Sequence, residues 1–181
     1  MNIEEIRNVY KEAECLADAE QVHAAFDNMA DAITEKMQNA NPLILSVMTG
    51  GLIPTAHLVT RLNFPLQIDY IHATRYQGKN KGGILNWIKQ PSVDLQDRTI
   101  LIVDDIFDEG ITLSEIVNYC MKNGARQVYT AVLVNKLHQR KAELKVDFIG
   151  LEIEDRYLFG FGMDYSEYHR NANGIYAVKG M

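Results

Sequence analysis

Asp104 and Asp105 stand side by side after the apolar run 99–103 (TILIV), and Ile106-Phe107-Asp108-Glu109-Gly110-Ile111-Thr112 follows directly. Two carboxylates at the end of a buried strand can hold sugar hydroxyls or a hard cation such as Mg²⁺, which takes oxygen ligands. A third carboxylate, Asp108, lies in the next turn, and the three together could bind hydroxyls or a cation or act as a base. The glycine and the hydroxyl residue that open a helix add another chemistry. Unpaired N–H groups at a helix start bind anions, and the helix dipole favours phosphate there. Each charge-assisted hydrogen bond is worth about 1.5–3 kcal/mol, so several of them hold a phosphate monoester. Any one of these aspartates alone is an ordinary cap or strand end. The whole string of strand, two acids, turn, glycine and threonine is more specific.

The elements that position this string are legible in the hydrophobic pattern. Residues 3–19 read as a first helix. Residues 21–38 read as a second, with Val22, Ala25, Phe26, Met29, Ile33 and Met37 at i, i+3, i+4 spacing. Leu43–Met48 (LILSVM) is a short apolar run of the kind a buried parallel strand needs, and it ends at Thr49-Gly50-Gly51. A helix pattern follows over 52–62 and a strand over 64–72. Residues 74–91, rich in Arg, Lys, Asn and Gly, read as a loop or a strand pair with a mobile tip. A helix over 112–123 has Thr112 and Glu115 spaced as a capping box and Gly124 past its end. Strands follow over 128–134 and 147–153. The alternation predicts an α/β fold with a doubly wound, mainly parallel sheet, whose ligands lie beyond the carboxyl ends of its strands.

Composition narrows the partners. The chain has 181 residues, 47% of them hydrophobic, enough for one domain over 1–181 with a full core. The formal charge of −6 argues against nucleic acid and anionic membrane as partners. No run reaches the roughly 18 apolar residues of a membrane span, and the charged start MNIEEIRNVYKEAE carries no secretory signal. Cys15 and Cys120, far apart, point to a reducing cytoplasm. The five histidines form no zinc-ligand pair.

Related strings fail on context. DDIFD matches the D-D-x-x-D of prenyl-transferring enzymes, but those are all-helical, and here a β-branched strand precedes it. ILIVDD also opens phospho-receiver domains, yet too little chain follows for one. No G-K-[ST] marks a P-loop, and Tyr165 stands where a dinucleotide fingerprint after Gly160-x-Gly162 needs its third glycine.

ILIVDDIFDEGITL resembles the phosphoribosyl-pyrophosphate motif of type I phosphoribosyltransferases. With DRYLFG and GMDY near the C-terminus, the resemblance narrows to the hypoxanthine-guanine phosphoribosyltransferase family, from about residue 40 to the end. The resemblance implies that fold, with a small hood from segments 1–40 and 150–181 and a flexible catalytic loop over 74–91. It implies transfer of 5-phosphoribosyl from 5-phosphoribosyl 1-pyrophosphate to N9 of hypoxanthine or guanine, with Mg²⁺, in a homodimer or homotetramer. Asp104 and Asp105 would bind ribose and Mg²⁺, and Asp164 would help place a second Mg²⁺. Asp108 would face purine N7 as proton acceptor. Residues Asp108, Glu109, Gly110, Ile111 and Thr112 would cradle the 5′-phosphate. Thr49 and Gly50, in a loop whose peptide is often cis in relatives, would hold pyrophosphate with Arg170. Lys136 would read purine O6, Tyr157 would stack on the base and Leu158 would contact its edge. Arg75 and Tyr76 would belong to the lid. The chain departs from relatives at Asp104 (often Glu), Glu109 (Ser or Thr), Thr49 (Lys or Arg) and Arg75 (Ser). The competing reading is a regulator of the same fold that senses nucleotides or the donor and binds nucleic acid.

Overall fold

The computed structural model describes residues 2–75 and 85–181. In chain order the elements begin with α1 (Ile3–Glu12), β1 (Glu14–Asp18), α2 (Ala19–Met37), β2 (Leu43–Met48), α3 (Leu52–Val59) and β3 (Gln67–Arg75). They continue with β4 (Leu85–Lys89), β5 (Thr99–Phe107), α4 (Ile111–Lys122), β6 (Gln127–Leu137), β7 (Phe148–Glu154), β8 (Leu158–Phe159) and β9 (Gly174–Ala177). The main sheet runs β4-β3-β2-β5-β6-β7, and only β4 is antiparallel to its neighbour. The chain winds outward from β2 on one side and from β5 on the other, so the order reverses between these two strands. This is the expected doubly wound α/β sheet, and that junction is where such sheets hold ligands.

Burial on both faces explains the apolar runs. On β5, Leu101 and Val103 join the layer of α2 and α3, while Ile100 and Ile102 join the layer of α4. Successive side chains on a strand point to opposite faces, so both sets must be apolar. Each such buried side chain contributes about 1.5–3 kcal/mol. The stripe on α2 (Val22, Phe26, Met29, Ile33, Met37) is buried as its spacing predicts. Asp18 starts that helix: its carboxylate accepts from Gln21 N–H at 2.9 Å, and Gln21 Oε1 accepts from Asp18 N–H at 3.0 Å.

Several boundaries differ from the expectation, each for an identifiable physical reason. The first helix stops at Glu12, because residues 14–18 pair antiparallel with β9 and form a small sheet of order β1-β9-β8. Helix α3 ends at Val59, where Thr60 Oγ1 donates to the carbonyls of Ala56 and His57, both at 3.1 Å. Strand β3 starts at Gln67, past Pro65, which has no N–H to give a ladder. Strand β5 runs on to Phe107, so Asp104 and Asp105 lie inside it. Its pairing with β2 stops at Val103, while that with β6 continues to Phe107↔Asn135. The expected capping box at Thr112 does not form. Gly110 is the N-cap at φ 74°, with no side-chain cap, because the Phe107 ring lies where a Cβ would fall, at 2.2 Å.

The two segments expected to make a hood divide. From the N-terminal one, α2 packs on the main sheet; from the C-terminal one, β7 is its edge strand. Helix α1 joins the small sheet through Tyr10, which meets Phe159, His169 and Tyr176 at 5.9, 5.5 and 5.0 Å between ring centroids. Among the described residues no helix is long and apolar enough to cross a membrane.

Candidate active site

The sheet opens where β2 and β5 part. Beyond β2 the Met48–Thr49 peptide is cis, and Gly51 N–H turns back to Val47 O at 2.8 Å. Thr49 is exposed and Gly51 buried. Three segments meet here around Asp105. A Cβ on Gly50 would lie 2.0 Å from Asp105 Oδ2, and one on Gly162 would lie 2.2 Å from Gly50 O and 3.2 Å from Asp105 Cβ. Glycines at 50 and 162 are what let the 49–51 loop, the end of β5 and the 160–163 turn come this close.

Asp105 is 8% exposed, and Asp104 Oδ1 accepts its N–H at 2.9 Å. Burial and the neighbouring charge of Asp105 push the Asp104 carboxyl well above the usual carboxylate range. Burial raises Asp105 too, against the opposing pull of the Asp104 hydrogen bond and the Arg170 charge. Two carboxyls so placed resist carrying both charges at once, and a bound cation would relieve that. Arg170 stands beside the pair. Its guanidinium donates to Gly162 O at 2.7 Å and contacts Asp164 Oδ1 at 2.7 Å and Glu167 Oε2 at 3.1 Å. Asp164 Oδ2 accepts the N–H of Glu167 at 2.7 Å.

The turn from Asp108 to Thr112 delivers the start of α4 to the same end of the sheet. With no side-chain cap, the N–H groups of its first turn are left for an outside acceptor. Ile111 is exposed and Thr112 half-buried at this opening. The carbonyl of Glu109 accepts the N–H of Ala142 at 2.8 Å, which ties the turn to the loop after β6.

Lys136, near the end of β6, is 8% exposed. Its ammonium lies 2.9 Å from Asp155 Oδ1 and 3.3 Å from Asp108 Oδ2. Lys136 holds the Asp155 carboxyl below its ordinary range, helped by Arg140, whose guanidinium lies 2.6 Å from Asp155 Oδ2. A cavity of about 270 Å³ is lined by Asp105, Asp108, Lys136, Tyr157, Leu158 and Asp164, with Ile106 and Met163 as apolar wall. Tyr157 is 43% exposed and meets the Tyr165 ring edge-on at 5.6 Å between centroids, while Leu158 is buried in β8.

The structure therefore brings together Asp105, Asp108, Lys136, Tyr157, Leu158 and Asp164 in one cavity, with Asp104, Gly50 and Arg170 adjoining it. Arg75 ends β3, opposite Leu85 in β4. Tyr76 and the rest of 76–84, half of the 74–91 stretch, lie outside the described residues. Sequence reasoning missed His138, whose Nε2 lies 2.7 Å from Asp108 Oδ1, and gave no role to Asp155. The signal for His138 is weak: it follows Lys136 by two residues but lies just past the end of β6 at Leu137. Among the described residues, the one group of three possible metal ligands within 4.8 Å of one another is Asp108, His138 and Asp155. Lys136 already supplies a positive charge to both of those carboxylates. Asp164 does not join Asp104 and Asp105 in one such cluster.

The family model of the phosphoribosyl transferase domain matches residues 13–167. The hypoxanthine-guanine phosphoribosyltransferase of Bacillus subtilis is 30% identical over 165 residues, 91% of this chain and 92% of that protein. That of Aquifex aeolicus is 28% identical over 179 residues, 98% of this chain and 99% of that protein. Among solved structures, the hypoxanthine-guanine phosphoribosyl transferase of L. donovani is 32% identical, with a TM-score of 0.84 over 92% of this chain and 96% of that one. The chain belongs to the hypoxanthine-guanine phosphoribosyltransferase family, and is a phosphoribosyl-transferring enzyme of purine salvage.

Proposed function

We propose that the protein transfers the 5-phosphoribosyl group of 5-phosphoribosyl 1-pyrophosphate to N9 of hypoxanthine or guanine, giving IMP or GMP and pyrophosphate. One observation carries this reading: the cavity that Asp105 lines is also lined by Lys136, Tyr157 and Asp108, so sugar-binding and base-reading groups share one space. The N–H groups at the start of α4, with the Thr112 hydroxyl, hold the 5′-phosphate. Thr49 and Gly50 offer backbone groups to pyrophosphate, and Arg170 a fork of donors suited to its oxygens. Lys136 donates to O6 and so selects 6-oxopurines over adenine. Tyr157 stacks on the base, and the Leu158 backbone meets its edge.

Transfer breaks the bond from C1′ to pyrophosphate and forms the bond from N9 to C1′, through an oxocarbenium-like transition state. Asp108 takes the proton that the imidazole ring sheds. In-line placement of the two reactants supplies much of the rate. The donor set of Asp104 and Asp105 is all oxygen and pressed together by burial, which fits a hard cation. Asp164 fits a second one. Mg²⁺ bound there supplies charge stabilisation to the leaving pyrophosphate. Free thiols at Cys15 and Cys120 support a cytoplasmic enzyme, and family resemblance supports a homodimer or homotetramer.

The test is incubation with donor, Mg²⁺ and hypoxanthine, guanine or xanthine, with nucleotide formation followed by absorbance. Product with hypoxanthine or guanine is expected. No nucleotide from any 6-oxopurine, together with binding to nucleic acid, would replace this reading by that of a regulator.

A further inference from the structure

Asp108 sits in the turn after β5 with its side chain 45% exposed, a poor position for a group that must meet one proton of the base. Two donors hold it, one on each oxygen. Lys136 Nζ reaches Oδ2 at 3.3 Å, but it lies closer to Asp155, at 2.9 Å. When Lys136 turns to purine O6, its hold on Asp108 weakens further. His138 has no such second duty. Its side chain is 7% exposed, and its Nε2 lies 2.7 Å from Asp108 Oδ1. The Arg140 backbone N–H donates to His138 Nδ1 at 3.1 Å, which leaves the ring proton on Nε2, aimed at the carboxylate. The same loop is latched to the Asp108 turn a second time, by Ala142 N–H on Glu109 O at 2.8 Å.

We propose that His138 is the positioning residue for Asp108. It fixes Oδ1 through Nε2–H and leaves Oδ2 turned to the purine proton. This inference rests on reading Asp108 as the proton acceptor. His138 touches neither substrate; it acts through the carboxylate it orients. Misplacement of a reacting group by about 1 Å can cost about 100-fold in rate, so an unanchored Asp108 is slow rather than inert.

The experiment compares kcat, the KM of each substrate and Tm for the wild type, H138L, H138Q and D108N, with turnover measured well below the lowest Tm. H138L keeps the bulk and loses the donor; H138Q carries an amide N–H at about the place of Nε2. The expected result is a fall in kcat of about 10- to 100-fold in H138L, with donor KM held within about twofold. H138Q should recover most of that loss. A merely structural role would lower Tm and spare kcat, or leave H138Q as slow as H138L, and either result overturns the proposal. Near-normal H138L beside a severely slowed D108N sinks the positioning role and leaves Asp108 standing. Near-normal D108N removes the role of Asp108 itself.

Discussion

Lys136→Met tests the base site, because it keeps the length and apolar stem of the side chain and removes the ammonium. The structural cost follows from the exposure of the partners. Removing one member of a fully buried ion pair costs about 3–5 kcal/mol. Here the Lys136 side chain is 10% exposed, but those of Asp108 and Asp155 are 45% and 36% exposed. Each also keeps another donor, His138 at 2.7 Å and Arg140 at 2.6 Å. Water and these donors absorb most of the penalty, leaving about 1–2 kcal/mol. For a chain of this size that lowers Tm by about 2–8 °C. The catalytic cost is separate. A charge-assisted hydrogen bond to O6 is worth about 1.5–3 kcal/mol, which corresponds to a fall of about 10- to 150-fold in kcat/KM for hypoxanthine. The rate with adenine should hold or rise, since its 6-amino group no longer meets an ammonium. The assay is absorbance-monitored nucleotide formation with each base at saturating donor, with donor KM measured alongside. The reasoning fails if kcat/KM for hypoxanthine stays within about threefold of wild type, or if donor KM rises in step with it.

Two further outcomes follow from the opposite side of the cavity. Asp104 has its carboxyl raised by burial and by Asp105, so its protonated form favours the fold, and that contribution is lost as pH rises through the raised value. Asp104→Asn should therefore melt higher than the ligand-free wild type above neutral pH and converge with it near about pH 4, while turnover collapses; a variant that melts lower at alkaline pH would contradict the like-charge account. Gly50→Ala places a Cβ 2.0 Å from Asp105 Oδ2 and must displace that carboxylate or the 49–51 loop. A fall of about 100-fold in kcat/KM for the donor is expected, read in steady-state kinetics against donor concentration, and an unchanged value would show that the contact is slack.

Sequence reasoning reached furthest where a residue acts through its own strand or turn. The runs of β2 and β5 are apolar on both faces because two helical layers cover them, and the acid pair is visible because it interrupts such a run. Reasoning failed where a contact outside the hydrophobic pattern decides. Residues 14–18 have enough helical character to extend α1, yet they pair with β9 at the far end of the chain. Thr112 and Glu115 have the spacing of a cap, yet the Phe107 ring beneath Gly110 sets the true start of α4. Asp104 and Asp105 stay in the strand because β6 continues beside them after β2 has turned away. His138 meets Asp108 because the ends of β5 and β6 lie in register, with Phe107 opposite Asn135, and Asp155 meets Lys136 because those of β6 and β7 do, with Lys136 opposite Ile153. No local pattern encodes those meetings, whereas Tyr157, Leu158 and Asp164 reach the cavity wall from one short stretch of chain.

The distribution of charge in the site has a consequence for ligand order. On the base side, Asp108 and Asp155 are matched by Lys136 and Arg140. On the side that the proposed reading gives to sugar and pyrophosphate, Asp104, Asp105, Asp164 and Glu167 stand near Arg170. Four acids against one arginine leave that side net acidic, where the proposed reading brings the most anionic ligand. In the proposed reading the 5′-phosphate lies at the start of α4, whose first helical turn offers N–H groups and no acid. Removal of divalent cation should therefore separate two ligands that share the ribose 5′-phosphate. Binding of 5-phosphoribosyl 1-pyrophosphate, measured by titration calorimetry with and without a chelator, should weaken by tenfold or more, on the order of one uncompensated charge contact. Binding of IMP, which carries no pyrophosphate against the acid pair, should weaken by much less. Equal losses for the two would mean that the cation serves the shared phosphate, and that Asp104 and Asp105 do not set the metal requirement.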